Sequence, residues 1–154
     1  MVHRLPLLLL LLKSGFILLK MEKIIAVNDY EGKDGYSGVS GFEVVTDKQS
    51  IKLFIDNSQS CCENWGYFFC NDDPQQFIGS DLREVVLTDT ALNEAQMKAN
   101  ELNPNDKLFE GGVMFVNLET SNGTLQFVAY NEHNGYYGHN AKVVSTQLTH
   151  EETL

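Results

Sequence analysis

From Met21 onward the apolar residues recur mostly at every second position, the period of a half-buried β-strand. In "VSGFEVVTD" (39–47), Val39, Gly41, Glu43 and Val45 alternate with Ser40, Phe42 and Val44. In "SIKLFIDN" (50–57), Ile51, Leu53 and Ile55 share one face, and Lys52, Phe54 and Asp56 share the other. A tight turn near Asp47–Gln49 joins the two runs, which predicts a hairpin. The clearest hairpin comes later. "GGVMFVNLET" (111–120) and "TLQFVAYNE" (124–132) flank Asn122–Gly123, and Asn-Gly is a favoured two-residue hairpin turn.

The rest of the chain fits around these pairs. "KIIAV" (23–27), "LREVVLTDT" (82–90) and "AKVVSTQL" (141–148) read as further strands. "NDYEGKDGYSG" (28–38) is rich in turn formers, and "NDDPQQFIGSD" (71–81) reads as a loop with one turn of helix. "ALNEAQMKANEL" (91–102) is the one stretch with good helix formers, and Pro104 ends it. The pattern predicts a mainly β domain over residues 21–148, an antiparallel sheet or sandwich with one short helix around 91–102. Residues 149–154, "THEETL", are expected to fray.

The first twenty residues, "MVHRLPLLLLLLKSGFILLK", break the pattern. The run Leu5–Leu12 is too short to span a bilayer. A basic start before leucines resembles a secretory signal, yet no small-x-small cleavage site follows. Met21 stands where the globular pattern begins, so three readings compete: an over-long gene start, a signal or anchor, and a hydrophobic arm. A start at Met21 places the protein in the cytoplasm. Translation of residues 1–20 would make it membrane-associated or exported.

Charge narrows the function. The chain has 21 acidic residues against 11 Lys and Arg, a net −10. All the acids lie after Met21, with only eight of the basic residues, so the balance there is −13. Such a surface repels phosphates and argues against direct nucleic-acid binding. It suits solubility, or docking on a basic protein partner.

All three cysteines fall in "SQSCCENWGYFFC" (58–70). Structural zinc favours Cys-x2–4-Cys pairs. Adjacent Cys61 and Cys62 on an extended chain point to opposite faces, so only one could join Cys70, with His133 or His139 completing the set. A nucleophile needs a nearby base or helix N-terminus, which nothing in the sequence places beside Cys62, and Glu63 would raise its pKa. A vicinal disulfide between Cys61 and Cys62 would be strained. The expectation is therefore structural: one cysteine of the pair in the core, its neighbour facing a turn, and neither metal nor cofactor. Aromatic material for a binding patch is at hand in Trp65, Tyr67 and Phe68, and in the turn "NGYYGHN" (134–140) with Tyr136 and Tyr137. There is no phosphate-binding Gly-rich loop, no Gly-x-Ser-x-Gly elbow and no carboxylate pair at a catalytic spacing.

Three short signatures occur in order: Cys61, Cys62 and Glu63; Gly79 and Leu82; and Asn134, Gly135, Tyr136 and Tyr137. Over roughly residues 23–146 the chain resembles a family of small proteins of unknown function encoded by phages and prophages. The resemblance implies a compact β-rich fold and a phage-related origin, and it carries no activity. The expected function is non-catalytic: an accessory protein that binds another protein, with Cys62, Glu63, Trp65, Asn134, Gly135, Tyr136 and Tyr137 as candidate contacts. A narrower version is an acidic inhibitor that occupies the basic channel of a host defence complex. The rival readings are a small-ligand binder built on the Tyr136–Tyr137 turn, and a cysteine- or metal-dependent enzyme built on Cys62, Cys70 and His133.

Overall fold

The computed structural model describes residues 21–58, 61–102, 110–133 and 135–154. The leucine-rich start (1–20), Pro104 and Asn134 lie outside the described residues. Nine strands form one antiparallel sheet: β1 (Glu22–Asp34), β2 (Ser37–Thr46), β3 (Ser50–Asp56), β4 (Asn64–Phe69), β5 (Asp81–Thr88), β6 (Glu110–Thr120), β7 (Gly123–His133), β8 (Asn140–Val144) and β9 (Thr149–Thr153). Their order across the sheet is β4-β7-β6-β5-β1-β2-β3-β8-β9, open at both edges. The single helix among the described residues, α1, is short (Glu94–Ala99). Among the described residues no helix is long and apolar enough to cross a membrane.

Strand β1 is the corner. Glu22 and Lys23 pair with β5, a bulge follows between Ile24 and Ala26, and the rest of the strand pairs with β2. A bulge raises local twist and bends the strand. The two halves of the sheet thereby fold onto each other and bury their facing sides, as in a sandwich. Phe42 of β2 stacks on Phe69 of β4 with ring centroids 4.2 Å apart, and meets Tyr67 edge-on at 5.2 Å. Ile51, Leu53 and Ile55, the face read from the sequence, all lie in this core.

A second cluster lies apart from the first: Phe68 and Cys70, Phe115, Val128, Met97 of α1 and Leu102. Asn93 caps the helix, its Oδ1 accepting from the N–H groups of Ala95 (3.0 Å) and Gln96 (3.4 Å). Strand β7 is thus covered on both sides, and Leu125 through Ala129 are buried without a break.

Three expectations need correction. Residues 149–154 do not fray: Thr149–Thr153 form β9 on β8, and Leu154 is buried. An edge strand needs only backbone pairing, so polar side chains do not prevent it. The turn formers at 28–38 lie largely within β1 and β2, because only Gly35 (φ 62°) and Tyr36 stand between the paired strands. The helix is half the length read for it.

Antiparallel alternation decides what meets at each end. The β1–β2 turn, the β3–β4 loop, the β7–β8 loop and the end of β9 all emerge at one end of the sheet. The double-cysteine segment and the tyrosine turn are therefore neighbours in space.

Candidate functional site

At that end Glu63 and His139 form a closed pair. Glu63 Oε1 lies 3.0 Å from His139 Nε2, and the two side chains are 0% and 1% exposed. The other carboxylate oxygen, Oε2, accepts from the backbone N–H groups of Cys61 (3.0 Å) and Cys62 (2.8 Å). His139 Nδ1 sits 2.5 Å from the carbonyl oxygen of Asp56, at the end of β3. A carbonyl can only accept, so Nδ1 carries a proton. Nε2 faces Glu63 Oε1, the carboxylate oxygen that the Cys61 and Cys62 N–H groups leave free. Desolvation pushes the Glu63 carboxyl up, but the His139 N–H and the Cys61 and Cys62 backbone N–H groups outweigh it and hold it at about 2.

The imidazole is fixed on every side. Trp65 of β4 stacks on it, centroids 4.9 Å apart and planes inclined by 23°. Its backbone pairs with Leu154 in both directions, at 3.0 and 2.8 Å. Behind it Asn131 of β7, fully buried, donates from Nδ2 to the carbonyls of Tyr137 (2.7 Å) and Leu154 (2.9 Å). Asn131 Oδ1 has no partner among the described residues. Gly111 of β6 adopts φ 102°, and a Cβ there would lie 2.1 Å from the Asn131 carbonyl oxygen.

Around this pair stand groups that face water. Cys61 and Cys62 are free and exposed, with their sulfurs 3.2 Å apart. The Cys62 thiol is pushed up, first by its hydrogen bond with Cys61 and by charge at Cys61, then by desolvation and Glu63. Tyr137 lies beside both thiols, and their charges push its hydroxyl up as well. Tyr136 is 84% exposed, and the β1–β2 turn presents Tyr36 wholly to solvent. The Gly135 N–H donates to His133 Nδ1 (2.9 Å).

The candidate contacts thus separate. Cys62, Glu63, Trp65 and Tyr137 come together; Gly135 and Tyr136 lie on the same loop facing out. His139 and Asn131 complete the cluster, and the sequence reading had given neither this role. The one signal for His139 was its place within "NGYYGHN". The cysteine expectation also needs correction: both Cys61 and Cys62 are exposed, and Cys70 is the buried one. The pair precedes β4, so strand alternation does not govern it. Cys70 follows β4, a strand of six residues away, or roughly 20 Å at about 3.3 Å per residue. There its sulfur bonds the N–H (3.2 Å) and carbonyl (3.3 Å) of Asn93. Cys62 and Cys70 cannot share an ion. Among the described residues no three His, Cys, Asp or Glu side chains are grouped to hold a metal.

The sequence profile of DUF7448, a domain of unknown function, matches residues 18–143. The chain belongs to the DUF7448 family. No curated protein and no solved structure is significantly similar. The matched span contains both Glu63 and His139, so the ion pair lies within the DUF7448 domain. Chemically, the pair is occupied with itself. Each of its polar atoms is spent on a protein partner, which suits a clamp that fixes two loops and not an acid or base awaiting substrate.

Proposed function

We propose that this DUF7448 domain is a non-catalytic protein-binding module, and that the loop end carrying Tyr36 and Tyr136 contacts a basic partner. The observation that carries this reading is the contrast at that end. Glu63 and His139 are sealed, while two tyrosines project into water from segments held in place beneath them. A tyrosine on a fixed loop brings a large contact area at low entropic cost. The balance of −13 from Met21 onward would speed encounter with a positive surface. The finer proposal is a cytoplasmic accessory protein of phage or prophage origin that blocks the basic channel of a host defence complex. It is supported by that charge and by the resemblance of the three signatures.

The test is capture of a partner by the purified domain across a salt series. Binding should weaken from about 0.05 to 0.5 M salt, as the Debye length shrinks about threefold. The double variant Tyr36→Ala, Tyr136→Ala should lose the partner and keep its melting temperature. Capture unaffected by either change would overturn the assignment of this surface. A small molecule that raises the melting temperature, with no protein captured, would put the ligand-binding reading in its place.

A further inference from the structure

We propose that Cys61 and Cys62 form a redox-active dithiol that exchanges with low-molecular-weight disulfides, Cys61 attacking and Cys62 resolving. The two thiols are free, solvent-exposed and 3.2 Å apart, so about 1 Å of further approach joins them. Their surroundings make them unequal. The two thiols share a hydrogen bond, the Tyr137 hydroxyl reaches both sulfurs, and the contact with Cys61 together with charge there pushes the Cys62 thiol up. Cys62 keeps its proton until its neighbour has reacted. The acidic surface disfavours anionic disulfides, so neutral or cationic ones are the fitting class.

The chemistry balances without an outside reductant. The Cys61 thiolate attacks one sulfur of RSSR, forms a mixed disulfide and releases RS⁻, which takes a proton from water. Cys62 then gives its proton to solvent and attacks the Cys61 sulfur, expelling the second RS⁻, which is protonated in turn. Two electrons pass from the cysteine pair to RSSR, and the products are two RSH and a Cys61–Cys62 disulfide.

Closure also reaches the buried pair. The peptide between the cysteines lies inside the ring that closes, and the Cys62 N–H is one of the two donors to Glu63 Oε2. Oxidation must therefore disturb the Glu63–His139 contact. Trp65, the only tryptophan of the chain, is stacked on His139 and reports it.

The experiment uses the full chain with hydroxyethyl disulfide, a neutral probe, followed by alkylation of remaining thiols and intact-mass and peptide analysis. The wild type should lose two hydrogens, with the bond mapped to Cys61–Cys62, and recover both on reduction. Cys62→Ser should stop at the mixed disulfide on Cys61, and Cys61→Ser should not form the internal bond. Tyr137→Phe should slow the first step roughly fivefold, as expected for one lost hydrogen bond. Trp65 emission should change on oxidation of the wild type and not of Cys62→Ser. Two thiols still free in excess disulfide, or a stable adduct on the wild type with no internal bond, would overturn the proposal.

Discussion

Replacing His139 by Ala tests whether the buried pair is the clamp described above. The change removes the hydrogen bond to the Asp56 carbonyl, the stack on Trp65 and the counter-charge of Glu63, whose side chain is 0% exposed. Removing one partner of a buried ion pair costs about 3–5 kcal/mol, and the lower figure applies here because the Cys61 and Cys62 N–H groups still hold Glu63 Oε2. A domain of this size loses about 2–4 °C of melting temperature per kcal/mol, so a fall of roughly 10 °C is expected. A double-mutant cycle isolates the pair. In the Glu63→Gln background no charge is stranded, so His139→Ala should cost less by about 1–3 kcal/mol. The pH dependence gives a second, independent reading. Glu63 is held at about 2, below its ordinary 4.5, so its contribution is full above about 4.5 and is lost as pH falls toward 2. Denaturant melts between those limits should therefore fall more steeply for the wild type than for Glu63→Gln. Additive costs in the cycle, together with parallel acid slopes, would refute the clamp.

Two further substitutions separate backbone from packing effects. Gly111→Ala should cost about 3 kcal/mol by denaturant melt, since its φ is 102° and its Cβ would strike the Asn131 carbonyl. Gly35→Ala, with φ 62° and open space around it, should cost only about 1 kcal/mol; equal costs would show that the close approach to Asn131 does not matter. Cys70→Ala should cost about 1–2 kcal/mol, because it leaves the Asn93 N–H unpaired under the helix cap, while Cys61→Ser should stay within about 0.5 kcal/mol. The reverse order would mean that the exposed pair, not the buried thiol, supports the fold.

Much of the sheet was legible because period two was legible. The β2–β3 and β6–β7 hairpins stand where alternation and the Asn-Gly turn put them. The misses lie where burial does not alternate or where backbone pairing alone makes the strand. Strand β4 has aromatic residues serving both clusters, Phe69 on one side and Phe68 on the other, so its segment shows no polar face. Strand β9 fails oppositely, with all five side chains polar and its pairing to β8 carried by the backbone. The corner in β1 depends on a bulge at Ile24–Ala26, which leaves no residue signature in "KIIAV".

The site was legible in its parts and not in its assembly. The double-cysteine segment and the tyrosine turn each stood out, but Glu63 and His139 are 76 positions apart, and only strand order brings them together. Once β3 and β8 are neighbours, the Asp56 carbonyl and His139 must approach each other, and Glu63 follows from the loop after β3. Placing an ion pair in a loop region is a poor way to gain stability, since desolvation offsets much of the attraction. What it gives is geometry: two loops that share no strand pairing are held at a fixed spacing. Among the described residues, the Cys61–Cys62 pair, Tyr36 and Tyr136 face water at this end of the molecule, so contacts made there fall first on side chains that stand beside the clamp and not on the clamp itself.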